Sequence, residues 1–138
     1  MTSAEVMRGV SAAWKGGDYR TLRDLLHPDG VWFLPDGMRL LVDDRPRFIL
    51  GLEELTEALA RADANLDFGD VVYEPLSEAV VLGSCHIRTP LPGRHGGHHD
   101  LGRYIFLLEV RERLFFRSES FPSEDAARQA FGRGWGSS

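Results

Sequence analysis

A chain of 138 residues with 43% hydrophobic and 27% charged residues has the size and composition of one soluble domain, large enough to bury a core without disulfides or a structural metal. The formal net charge of -5 argues against a nucleic-acid surface, and no stretch approaches the length of a membrane span. A single cysteine, Cys85, set in an apolar run, excludes an internal disulfide framework and fits a cytoplasmic location. The first residues, with Glu5 and Arg8 among small side chains, do not resemble a signal peptide.

Val6, Met7, Val10, Ala13 and Trp14 recur at three- and four-residue spacing, which predicts an amphipathic helix over 3–15 with Ser3 as its cap and Gly16-Gly17 as its end. Asp18 caps a second helix over 18–27, where Tyr19, Leu22, Leu25 and Leu26 repeat the spacing until His27-Pro28 stops it. Val31 to Leu34 predicts a short strand, turned by Pro35-Asp36-Gly37 into an antiparallel partner from Met38 to Val42. Asp43 to Arg47 is loop. Leu52, Leu55, Ala58 and Leu59 line one face of a third helix over 51–62. Four strands follow, at 66–73, 79–88, 98–110 and 114–121, then a helical turn over 123–131 and a frayed tail over 132–138. Helices followed by antiparallel strands form an α+β plan, with the helices covering one face of a curved sheet.

The last two strands carry the densest set of aromatics, and their register decides which side chains share a face. A two-residue turn at Glu112-Arg113 sets Val110 beside Phe115, Leu108 beside Arg117, Phe106 beside Glu119 and Tyr104 beside Phe121. Centring the connection from Thr89 to Gly97 on Gly93 sets His86 opposite Asp100, Arg88 opposite His98 and Leu82 opposite Tyr104. These registers place Tyr104, Phe106, Arg117, Glu119, His86 and Asp100 together, a mixture of aromatic and charged groups that suits a ligand pocket better than a core. Val81, Cys85, Ile87, Leu101, Ile105 and Leu107 fall on the opposite face. An apolar surface of that extent predicts a homodimer through the outer face of the sheet.

The order and spacing of these elements resemble the SnoaL-like branch of the nuclear-transport-factor-2-like superfamily, which includes polyketide cyclases, ketosteroid isomerases and limonene epoxide hydrolases. The resemblance spans residues 4 to 131. It is carried by Ala12-Ala13-Trp14-Lys15-Gly16-Gly17-Asp18, by Leu25-Leu26-His27-Pro28-Asp29-Gly30-Val31-Trp32, by Gly51 opening the third helix, and by the closing hairpin from Tyr104 to Phe121. It implies a cone-shaped, cystatin-like α+β roll enclosing a pocket for a small, mostly apolar molecule, and dimerisation through the outer sheet face. The chemistry carries over only in part. Leu34 stands where ketosteroid isomerases have their aspartate base, Val10 falls near their oxyanion-hole tyrosine, and Phe106 near the aspartate that shares its task. Glu119-Ser120-Phe121-Pro122 keeps the first carboxylate of a closing motif found in many relatives and loses the last.

Two function classes follow. One is a cofactor-free acid/base enzyme, performing isomerisation, cyclisation or hydration; the other is a non-catalytic ligand-binding or dimerisation module. For the enzyme, Glu119 beside Arg117 is either a base whose pKa an apolar wall raises or a structural ion pair. His86 with Asp100 is either an oriented imidazole or a pair of partly exposed hairpin residues, and a one-residue slip would separate them. Trp14, Trp32, Tyr104, Phe106 and Arg117 are the candidate binding residues, with the aromatics equally suited to core packing. The run from Arg94 to Asp100 contains neighbouring imidazoles, but His98 and His99 point to opposite sides of a strand, so no metal is expected. No phosphate-binding glycine loop or nucleophile elbow is present, so no cofactor is expected.

Overall fold

The computed structural model describes residues 1–33, 48–50, 53, 54, 57, 70–90 and 98–135. Helix α1 spans Ser3–Lys15 and buries Val6, Met7, Val10 and Ala13, the predicted face. Its cap is Thr2, whose hydroxyl accepts the Glu5 N–H at 3.2 Å. Ser3 instead donates to the Glu78 carbonyl, tying the helix to the sheet. Asp18 caps α2, Tyr19–Asp24, by accepting from Thr21 N–H at 3.2 Å, and hydrogen bonding from Thr21, its side chain first and this N–H second, holds the Asp18 carboxyl below the usual range. The helix ends earlier than expected because Leu26 already belongs to a strand.

The strands are β1 (Leu26–Phe33), β2 (Phe48–Leu50), β3 (Val72–Pro75), β4 (Val80–Pro90), β5 (His98–Arg111) and β6 (Leu114–Phe121). A last helix, α3 (Glu124–Gly132), is capped by Ser123, which accepts from Ala126 N–H at 3.1 Å. The described strands form one six-stranded sheet in the order β2-β1-β6-β5-β4-β3. Neighbours are antiparallel, as expected of this α+β sheet, except β1 and β6, which are parallel. The parallel pair arises because the chain leaves β1 and returns beside it only with its last strand. Phe48–Leu50 pairs with β1, a strand absent from the sequence reading, while the expected partner from Met38 to Val42 lies outside the described residues. Of the expected third helix, Glu53, Glu54 and Glu57 are described and helical, and the remainder lies outside. Among the described residues no helix is long and apolar enough to cross a membrane.

The turn at Glu112-Arg113 forms as predicted, with φ of 55° and 65°, the left-handed pair that matches the twist of a two-residue hairpin. Val110 is opposite Phe115, also as predicted. Then Phe116 is an extra residue on β6. Beyond it Glu109 pairs with Arg117, Leu108 with Ser118, Leu107 with Glu119, Phe106 with Ser120 and Ile105 with Phe121. A second bulge lies on β5 at Leu101, beside Gly102, whose φ of 107° suits glycine. Cys85 therefore pairs with Tyr104, His86 with Arg103, Arg88 with Asp100 and Leu82 with Leu107. One added residue reverses the face of everything beyond it.

The inner face of the sheet, covered by α1 and α2, carries Val81, Cys85, Leu108, Val110 and Phe115 with Leu26 and Trp32 from β1. The outer face carries Val80, Leu82, Ile105 and Leu107, covered by Ala127, Ala130 and Phe131 of α3 and by Trp135 after it. Leu107 is fully buried there. The apolar set from which a homodimer is expected is thus not one face: Val81 and Cys85 lie under α1, while Ile105 and Leu107 lie under α3.

Candidate functional site

The registers divide the candidate residues. Tyr104 and Phe106 stack at 6.3 Å between ring centroids and pack, half-buried, against the inner cluster, as does Trp14 from α1. Trp32 is 2% exposed in the same cluster, opposite Ser118, with its ring edge-on to Phe115 at 5.9 Å. Its indole lies so close over the backbone of Gly30 that a Cβ there would come within 2.1 Å of Cζ2 and Cη2. Among the described residues the Trp32 Nε1–H has no hydrogen-bond partner, although it is sealed from solvent. A buried donor left unpaired costs about 1–3 kcal/mol. An oxygen acceptor placed beside it would recover that energy.

Glu119 and Arg117 lie on the outer face, so the expectation that they join Phe106 and Tyr104 is corrected by the bulge at Phe116. Both hold Trp135. The indole Nε1 donates to Glu119 Oε2 at 2.7 Å, and the Arg117 guanidinium lies 4.8 Å from the centre of the same ring. The pair thus clamps the segment after α3, with a cation–π contact in place of the direct ion pair. His86 is exposed and stands opposite Arg103, and Asp100 stands opposite Arg88, so the expected His86–Asp100 pairing is corrected by the register that sets Pro90 opposite His98 and by the bulge at Leu101.

Two buried ionisable residues are not marked as such by the sequence. Glu109, 3% exposed within an apolar run, binds Arg111 at 2.8 Å through Oε2, while its Oε1 has no partner among the described residues. His27, read only as a helix stop, is 8% exposed and packs edge-on to Phe116 at 5.0 Å. Pro28 and Gly30 inside a strand are the sequence signal for the irregularity that places it there.

Cys85 sits on the inner face with Tyr73, whose hydroxyl is hydrogen-bonded to that of Ser11. Burial pushes the Cys85 thiol up to about 11 from its ordinary 9.0, against a smaller pull from the Lys15 ammonium. Burial likewise raises the Tyr73 phenol, partly offset by Ser11. Both groups are held neutral, which makes the thiol a poor nucleophile. The unfolded thiol ionises first as pH rises, so stability is complete below about pH 9 and falls between about pH 9 and 11. Urea unfolding at these limits is expected to show a loss on the order of 2 kcal/mol, reduced in Cys85→Ala. A flat profile would contradict this burial.

No family model matches the sequence, and no curated protein does. Solved structures do match. A proposed polyketide cyclase from Pseudomonas putida KT2440 superposes with a TM-score of 0.67 at 14% identity, covering 94% of this chain and 97% of that one. The fold is that of the nuclear-transport-factor-2-like proteins. TerC, co-crystallised with polyporic acid, matches this fold at a TM-score of 0.66 and 17% identity over 91% of this chain and 95% of its own. A Mycobacterium tuberculosis protein in complex with estradiol-17beta-hemisuccinate matches at 0.65 and 12% identity, over 91% and 98%. This fold is the one implied by the resemblance drawn from the loop and hairpin motifs.

Proposed function

We propose that the protein binds a small, mostly apolar molecule against the helix-covered face of its sheet, with the Trp32 Nε1–H as the polar contact that orients it. The observation carrying this reading is the buried indole N–H of Trp32 without a partner among the described residues. Tyr104 and Phe106 supply ring surface on the same face. Such a combination of apolar wall and one oriented donor suits an organic molecule bearing a carbonyl or similar oxygen. Two proteins of this fold, solved with polyporic acid and with estradiol-17beta-hemisuccinate, make small organic molecules the first probes to use. Binding is preferred to cofactor-free acid/base chemistry because Glu119 is engaged by Trp135, and Asp100 stands opposite Arg88 instead of His86.

Trp32→Phe tests the reading. It removes the N–H and keeps an aromatic ring, so the relief of an unpaired donor offsets the lost volume and unfolding free energy should change by less than about 1 kcal/mol. Calorimetric affinity for a ligand of this class should fall by about tenfold or more, the scale of one buried hydrogen bond. Glu119→Gln should leave the affinity unchanged. Equal affinities of wild type and Trp32→Phe would remove Trp32 from the site.

A further inference from the structure

The start of β1 is not a regular strand. Leu26 pairs with Phe115 of β6, and the next paired residue, Val31, faces Arg117, so residues 27–30 loop out against the single residue Phe116. His27 closes this loop. Its Nδ1 accepts the Asp29 backbone N–H at 3.0 Å, the same two-residue reach by which asparagine side chains close a turn. With its lone pair so used, Nδ1 carries no proton, and the neutral ring bears its N–H on Nε2. Nε2 points toward the Glu112 carboxylate at 3.9 Å, and the ring packs edge-on to Phe116.

Acid acts on this arrangement in one direction. Adding a proton to Nδ1 sets its new N–H against the Asp29 N–H, two donors facing each other, so the hydrogen bond is lost. The charged groups around the ring do not reverse this. Glu112, on the turn between β5 and β6, favours the charged imidazole, but its side chain is 76% exposed and the attraction is screened. Arg111, at the end of β5, is the other charged group of this cluster, with its guanidinium 4.0 Å from the centre of the Phe116 ring on which His27 packs. Asp29 presents its backbone N–H, and Phe116 of β6 is neutral.

The loop touches Trp32 directly, because the indole lies over Gly30 within 2.1 Å of where a Cβ would stand. We propose that His27 is a pH-sensitive positioning residue: neutral, it pins the 27–30 loop through Asp29 and sets the Trp32 indole; protonated, it releases both. The importance of this switch rests on Trp32 being the ligand contact, but the switch itself does not.

The test therefore uses the ligand-free protein. Two-dimensional proton–nitrogen spectra are recorded from about pH 7.5 to about pH 5, the span over which imidazoles generally take up a proton. The Trp32 indole signal and the Asp29 amide are expected to shift in step with the His27 ring nitrogens, and Asp29 amide exchange, corrected for pH, to quicken by about tenfold. His27→Asn keeps an acceptor for the Asp29 N–H and does not titrate, so its indole signal should stay flat. The same shift in His27→Asn overturns the proposal. So does a wild-type Asp29 amide that is unmoved while His27 titrates, an observation that stands even if the variant does not fold. Since no ligand is added, failure here leaves the binding reading intact, and failure of Trp32→Phe to weaken binding leaves the switch intact.

Discussion

Replacing Trp32 by alanine is expected to lower the free energy of unfolding by about 3–5 kcal/mol, the usual loss for deleting a buried tryptophan. The residue is 2% exposed, so nearly all of its surface leaves water on folding. It fills the space between Phe115, Ser118 and the Gly30 backbone, three neighbours on two strands. Because these strands are the parallel pair β1 and β6, the cavity would weaken the join between the first and last parts of the chain. Urea denaturation measures the loss. A cost below about 1 kcal/mol would mean that the indole is not packed as described. Comparison with Trp32→Phe separates lost volume from relief of the unpaired N–H, since only the alanine variant opens a large void.

The second large effect is expected at Trp135. Trp135→Ala removes a half-buried ring from the outer cluster, a hydrogen bond to Glu119 and a cation–π contact with Arg117. Their sum is about 2–3 kcal/mol. The loss falls on α3, the element that covers Leu107 and Ile105, so those side chains would become more accessible to water. Glu119→Gln should cost less than about 1 kcal/mol, because its amide oxygen still accepts from the indole. A double-mutant cycle between Glu119→Ala and Trp135→Phe is expected to give a coupling of about 1–2 kcal/mol. Additive losses would show that the clamp contributes nothing.

Much of the fold is legible in the residues themselves. The apolar spacing of α1, the Asp18 cap of α2 and the Glu112-Arg113 turn all follow from local rules that the structure obeys. The faces of the sheet do not follow. Alternation assigns each strand residue to a face only while pairing is regular, and Phe116 and Leu101 each interrupt it. Phe116 looks like any other strand aromatic, so nothing local marks it as the extra residue. The consequence for the site is large, since the same single step carries Glu119 away from Phe106 and toward Trp135. Trp32 was visible as an aromatic of wall or core. Its unpaired N–H was not, because a missing partner is a property of the packed molecule and not of the residue.

In the proposed function the inner face, through Trp32, binds the ligand and the outer face, through Glu119, does not. The chain has three tryptophans, of which Trp14 and Trp32 report on the inner cluster and Trp135 on the outer one. Their indole N–H signals, followed while polyporic acid or a comparable small organic molecule is added, distinguish the faces in one titration. The expected result is a downfield shift of the Trp32 indole proton as its hydrogen bond forms, a smaller change at Trp14, and a Trp135 signal that does not move. A shift at Trp135 with Trp32 unmoved would put binding on the outer face and remove Trp32 from the site.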